Sequence, residues 1–282
     1  MYQRSDFGLS CAMFPKGDFR SIAEAAGQAG FGSVSSRPTL YQQALKEGLR
    51  VEDMKEILAE NGLHISELDP YCAWVDGTVE ADNLVASFFE LSEDDYMEMA
   101  EALGAKSLNV LYALDKPLDF SSDADRLRQL SNRAAQYNMV VTFEFMPWMH
   151  INNLAAAIKL AEAVNHPNFG LNIDFWHHAR SGGAAKDLMT LAPQHIAAVQ
   201  ISDVEATPWD DVIMETARGR KMPGTGVGDV AQKLAHLWQR GINLPLTLEI
   251  FNMDVFTTPT DELTPILVKS IDKLLEDAKH HL

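Results

Sequence analysis

Leu171 to Arg180 reads LNIDFWHHAR, and this stretch decides how the rest of the chain is read. Its first half has the period of a β-strand. Leu171, Ile173 and Phe175 share one face, and Asn172 and Asp174 share the other. The apolar face suits a cover of helices, so Asn172 and Asp174 would point into a closed barrel. The strand runs out at Asp174 into a predicted loop carrying Trp176, His177, His178 and Arg180, spaced D-x-x-H-x-x-R. An exposed polar loop alone could produce that spacing, so the weight falls on whether other strands repeat it.

Three do. VVTFEF (140–145) sets Thr142 and Glu144 against Val141, Phe143 and Phe145. AAVQIS (197–202) sets Ala198 and Gln200 against Val199 and Ile201, and LTLEIF (246–251) sets Thr247 and Glu249 against Leu246, Leu248 and Ile250. Each places an oxygen-bearing side chain near the C-terminal end of an apolar strand. Four such donors converging in a core ask for a cation, because an unpaired buried carboxylate costs several kcal/mol. The competing reading is an inert barrel layer in which these acids pair with Arg and Lys.

Strand-like and helix-like segments alternate along all 282 residues. The strands are expected at 7–14, 31–36, 63–69, 106–113, 140–145, 171–175, 197–202 and 246–251. Helices are expected at 19–30 capped by Asp18, at 51–62, from about 80 to 103, at 123–137, 153–164 and 184–191, from 230 capped by Asp229, and at 260–279. Residues 38–48 read as an insertion. Eight strand–helix pairs make an α/β protein, a (β/α)8 barrel formed as a single domain over 1–282. The turn after the first strand lacks G-x-G-x-x-G, so a dinucleotide site is unsupported.

Composition narrows the partners. The net charge is −17 and the apolar content 46%. The charge opposes nucleic acid, whose binding needs cations against phosphate. No run of about 18 apolar residues suggests a membrane span, and MYQRSDFGLS lacks a signal-peptide pattern. Cys11 and Cys72 make no disulfide framework. A cytoplasmic protein acting on a small molecule is expected, and assembly into a homo-oligomer is compatible with it.

Glu144, Asp174, Gln200 and Glu249 form an all-oxygen metal set, suited to hard or borderline-hard ions such as Mn2+, Mg2+ or Co2+ and less to thiolate-loving metals such as Zn2+. Such an ion would polarise a substrate carbonyl while a neighbouring carboxylate moves a proton on the adjacent carbon. His177 reads as an acid or a hydrogen-bond donor to substrate, with a loop histidine bonded to a backbone carbonyl as the plain alternative. Arg180, Arg218, Arg220 and Lys221 bring positive charge to the same end. They suggest a clamp on an anionic sugar, polyol or keto-acid, with Arg218 as its main grip. MPGTGVGD (222–229) reads equally as part of the site or as a turn into the next helix. Trp74, Trp148, Trp176 and Trp209 are candidate walls of a sugar-sized pocket, and Trp176 is counted with the substrate-binding residues.

This set, with the PGTG between Arg218 and Asp229, resembles the xylose isomerase-like TIM-barrel superfamily. Within it the sugar phosphate isomerase/epimerase branch is most similar: ketose 3-epimerases, inosose isomerases and dehydratases, and 3-dehydroshikimate dehydratases. The resemblance covers nearly the whole chain and is sharp from the fifth strand onward. It implies a Mn2+-type ion held by Glu144, Asp174, Gln200 and Glu249. It also implies that Glu144 and Glu249 double as proton-transfer groups, as in the epimerases, and that His177 and Arg218 bind substrate. Gln200 departs from the many epimerases that carry histidine at this ligand and matches some dehydratases. Abasic-site endonucleases share the fold but need a histidine-rich multi-zinc cluster that this chain lacks. The expected function is a divalent-metal-dependent sugar or sugar phosphate isomerase/epimerase. The alternatives are a metal-dependent dehydratase of a keto-polyol or keto-acid, and a noncatalytic or partner-dependent barrel subunit.

Overall fold

The computed structural model describes residues 2–282 apart from 78, 81–85 and 115. The strands β1 (Phe7–Leu9), β2 (Ser33–Ser36), β3 (His64–Tyr71), β4 (Ser107–Leu111), β5 (Val140–Glu144), β6 (Phe169–Asp174), β7 (Ile196–Ile201) and β8 (Leu246–Leu248) run parallel and close in sequence order into a barrel. Closure is made by β1 against β8, with Gly8 opposite Thr247. A closed barrel leaves no strand edge to protect.

The helices are α1 (Phe19–Gln28), α2 (Pro38–Lys46), α3 (Val51–Glu60), α4 (Glu93–Leu103), α5 (Ser122–Gln136), α6 (Leu154–Val164), α7 (Phe175–Arg180), α8 (Asp187–Thr190), α9 (Val212–Arg218), α10 (Val230–Gln239), α11 (Met253–Thr257) and α12 (Thr260–Lys279). The apolar strand residues Val141, Phe143, Leu171, Ile173, Val199 and Ile201 join helix residues such as Leu160, Leu188 and Leu234 in one core cluster. Each aliphatic side chain so buried contributes about 1.5–3 kcal/mol.

Local signals explain most boundaries. The Asp18 carboxylate accepts the Ser21 N–H at 2.8 Å and starts α1, as expected. Asp229 does not cap α10: its φ is +52° and its side chain accepts no N–H of the first turn. The residues 38–48, expected as an insertion, form α2, begun by Pro38, where a missing N–H costs nothing. The first strand is three residues long and gives way to a 3-10 turn at Cys11–Met13. The helix expected from about Glu80 starts at Glu93, because Ser92 caps it there by accepting the Asp95 N–H. Part of that expected span, 81–85, lies outside the described residues. No helix among the described residues is long and apolar enough to cross a membrane.

Candidate active site

The expected loop after Asp174 is the short helix α7, and Asp174 is itself the reason. Its Oδ1 accepts the His177 backbone N–H at 2.8 Å, as an N-cap does. The cap fixes the angle at which His177 leaves the barrel rim.

Glu144, Asp174, Gln200 and Glu249 are all buried at the C-terminal ends of their strands. Asp174 and Gln200 are direct partners across β6 and β7. Ligand atoms of Glu144, Asp174 and His177 lie within 4.8 Å of one another. Glu249 falls outside that group and is joined to it by Arg220. The Arg220 Nη1 donates to Asp174 Oδ2 at 2.8 Å and to Glu249 Oε2 at 3.1 Å, and Nη2 lies 3.3 Å from His177 Nε2. Thr216 accepts from the remaining edge of the guanidinium. Arg220 is 2% exposed, so these pairs operate in a dry environment.

Burial, followed by the charges of Asp69 and Asp174, raises the Glu144 carboxyl well above the ordinary range. Burial likewise raises Glu249 although Arg220 opposes it. Asp174 goes the other way: burial would raise it, but Arg220 and the N-cap bonds hold it low. Burial, with Arg220 adding to it, pushes the His177 imidazole down to about 3, so it is neutral near pH 7. Two acids poised to take up a proton and one held ionised are the distribution expected of proton-transfer chemistry.

The site has members that were not singled out from the sequence. Asn109 on β4 donates from Nδ2 to Glu144 Oε2 at 2.7 Å and to Asp69 Oδ1 at 2.8 Å. Burial lifts Asp69 to about 6. Glu67 accepts the Gln200 Nε2 at 3.1 Å, and Ser10 donates to Glu249 Oε1 at 3.2 Å. Arg37 follows β2 directly. The signal was present for several of these, since Glu67 and Asp69 in HISELD and Asn109 in SLNVL also put oxygen late on a strand.

A cavity of about 720 Å3 opens above these residues, lined by Glu144, Glu249, His177, Arg220, Asp69, Arg37 and Trp148 among others. Trp148 stands edge-on to the His177 ring, at 5.4 Å between centroids. The remaining expected binding residues lie elsewhere. Trp176 is fully buried behind the site, with the Arg180 and Arg220 guanidinium groups each 5.6 Å from its ring. Arg180 is held by Glu215, with Nε–Oε1 at 3.0 Å, and by the Glu205 carbonyl. Lys221 pairs with Glu205. Arg218, the last residue of α9, is exposed and is not among the residues that line the cavity. Trp74 is buried and donates to the Leu111 carbonyl, and Trp209 is 44% exposed.

The glycine-rich segment proves to be the turn. The N–H groups of Gly224, Gly226 and Gly228 donate to the Asp203 carboxylate at 3.0, 2.9 and 2.8 Å. A Cβ on Gly226 would stand 2.1 Å from the Val204 carbonyl oxygen, which is why that position is glycine.

The donor set fits a hard divalent cation. Glu144 and Asp174 converge, and Gln200 Oε1 is buried with no hydrogen-bond partner while its Nε2 is engaged by Glu67. An orphaned buried acceptor beside carboxylates is what a cation would satisfy.

A model of the xylose isomerase-like TIM barrel family matches residues 23–276. A 3-dehydroshikimate dehydratase of Pseudomonas aeruginosa is 31% identical over 161 residues, 56% of this chain and 25% of that protein. An inosose isomerase of Halalkalibacterium halodurans is 28% identical over 170 residues, 56% of this chain and 59% of that protein. The match thus spans a quarter of the dehydratase and under two thirds of the isomerase. Among solved structures, the IolI protein with a bound zinc atom superposes with a TM-score of 0.80 at 18% identity, covering 96% of this chain and 98% of that one.

Proposed function

This chain belongs to the xylose isomerase-like TIM barrel family, and from that premise we propose that it is an isomerase or epimerase that removes and returns a proton on the carbon beside a substrate carbonyl. The observation that carries the reading is the pair Glu144 and Glu249. They lie on different strands, both line the cavity, and both have carboxyls raised by burial. Two proton acceptors reaching a substrate from two sides are what proton removal and return require.

Glu249 is steadied by Ser10 at Oε1 and by Arg220 at Oε2, and Glu144 by Asn109 at Oε2. Glu144 Oε1 lies 3.2 Å from His177 Nε2, so a proton taken by Glu144 has a neighbour to share it. Arg220 lines the cavity and holds Asp174 and Glu249 in place beside it. A divalent ion held by Glu144, Asp174, Gln200 and Glu249, manganese by preference and zinc as in the IolI neighbour by alternative, would polarise the carbonyl. Substrates are small sugars or related polyols and keto-acids, the class of molecule on which the named relatives act.

The second reading is a dehydratase, supported by the relative of that name and by Gln200 at the ligand position. There the departing hydroxyl would take a proton held by Glu144 and relayed through His177, whose Nε2 lies 3.2 Å from Glu144 Oε1.

Incubation in D2O with ketoses, inososes and 3-dehydroshikimate tests both. Deuterium entering the recovered ketose or inosose, slowed at least about 100-fold by Glu144→Gln or Glu249→Gln, is the expected result. An enone or aromatic product that disappears on His177→Ala would replace it with the lyase. Neither exchange nor product from any of them would refute both readings and leave a noncatalytic barrel.

A further inference from the structure

The cavity carries a second arginine with a different standing from Arg220. Arg37 lies at the end of β2, on the wall shared with Ala12 and Asp69. Its Nε is buried without a hydrogen-bond partner, and among the described residues no carboxylate forms an ion pair with it. Its charge still reaches Asp69, where it opposes the effect of burial. A guanidinium presents five donors in a fixed fork; here the residue is partly buried and its Nε–H is buried and unmet, which is costly.

The other cationic groups near the site are spent. Arg220 is saturated by Asp174, Glu249 and Thr216, Arg180 by Glu215, and Lys221 by Glu205. Arg218 is exposed and stands outside the cavity lining. The glycine N–H groups that might have cradled an anion already hold Asp203. The demand for an acceptor inside the cavity therefore centres on Arg37, whose planar fork matches a carboxylate or a phosphate.

We infer that Arg37 grips an anionic group of the substrate, a carboxylate or a phosphate, on the wall opposite Glu144 and His177. The inference rests on the proposed proton-transfer site and names the substrate class that this site accepts. The cavity volume of about 720 Å3 leaves room for a small sugar or ring acid to reach both walls.

The test is calorimetric binding to the full-length protein in the presence of MnCl2. The probes are 3-dehydroshikimate (carboxylate), fructose 6-phosphate (phosphate), and fructose and an inosose (neutral). Wild type should bind one anionic class at least about tenfold tighter than the neutral probes. Which anion is preferred separates carboxylate from phosphate. Arg37→Ala and Arg37→Gln should each lose about tenfold or more for that anion, the usual worth of a hydrogen bond to a charged group. Neutral probes should be unaffected, which also reports an intact site, and Arg37→Lys should retain part of the preference. Unchanged anion affinity in both Arg37 variants, or equal affinity for neutral and anionic probes in wild type, would overturn the assignment. If Arg37→Ala loses the anion while no probe exchanges deuterium in wild type, the reaction falls and the anion site stands. If only neutral ketoses exchange, the anion site falls and the reaction stands.

Discussion

At the scale of the residue, burial decides chemistry more than residue type does. Asp174 and Glu144 are both buried carboxylates at strand ends, yet Arg220 and two backbone N–H groups hold Asp174 low, while Glu144 is raised. Lys233 of α10 shows the same physics outside the site. It is 1% exposed, donates to the Phe175 carbonyl at 3.1 Å and lies over the Phe175 ring. Burial lowers its pKa from 10.5 to about 8. Between those values the unfolded chain keeps a proton that the folded one releases, so folding gains stability as pH rises. The gain is complete above about 10.5 and lost as pH falls through about 8. In urea titrations from pH 7.5 to 11, wild type should therefore gain on Lys233→Met across that window. Parallel curves for the two proteins would show that Lys233 keeps an ordinary pKa.

At the scale of the element, one side chain can dictate a whole segment. Asp203 takes four backbone N–H groups, from Val204, Gly224, Gly226 and Gly228. These bonds tie residues 224–228 back to the end of β7, beside the backbone bridge that Asp203 makes with Lys221. Asn at 203 would turn an N–H toward donors that need an acceptor. Asp203→Asn should cost about 1.5–3 kcal/mol in chemical denaturation and speed hydrogen exchange at Gly224–Gly228. A variant with wild-type stability and unchanged protection there would show that the carboxylate does not hold the segment. The spacing of these glycines was visible in the sequence. That their donors serve Asp203 and not a substrate depends on where the chain returns to β7, which local sequence does not encode.

At the scale of the whole molecule, closing eight strands gathers acids distant in sequence into one dry volume. Glu67, Asp69, Glu144, Asp174 and Glu249 repel one another there, and Arg220 offsets only part of that. A divalent cation that binds the folded barrel and not the open chain should stabilise it by mass action, about 2.7 kcal/mol at a hundredfold excess over Kd. For a chain of 282 residues that is a rise in Tm of roughly 4–6 °C. Thermal unfolding with MnCl2, MgCl2, CoCl2 or ZnCl2 measures it, and Glu144→Gln or Asp174→Asn should abolish the shift. No shift with any of the four ions would refute the metal site.

The barrel was legible in the sequence, because period-two strands alternating with capped amphipathic helices admit few other packings. So was the meeting of oxygen donors at the strand ends, since strand alternation fixes which face a residue takes. Tertiary structure alone decided which cations are free. LNIDFWHHAR and ARGRKMPGTG present Arg180, Arg218, Arg220 and Lys221 as one cationic cluster with Arg218 foremost. Only the folded chain spends Arg180 on Glu215 and Lys221 on Glu205, leaves Arg218 exposed outside the cavity lining, and wedges Arg220 between Asp174 and Glu249. Arg37, more than a hundred residues upstream, carries no local signal at all, because having no partner is a property of three-dimensional surroundings.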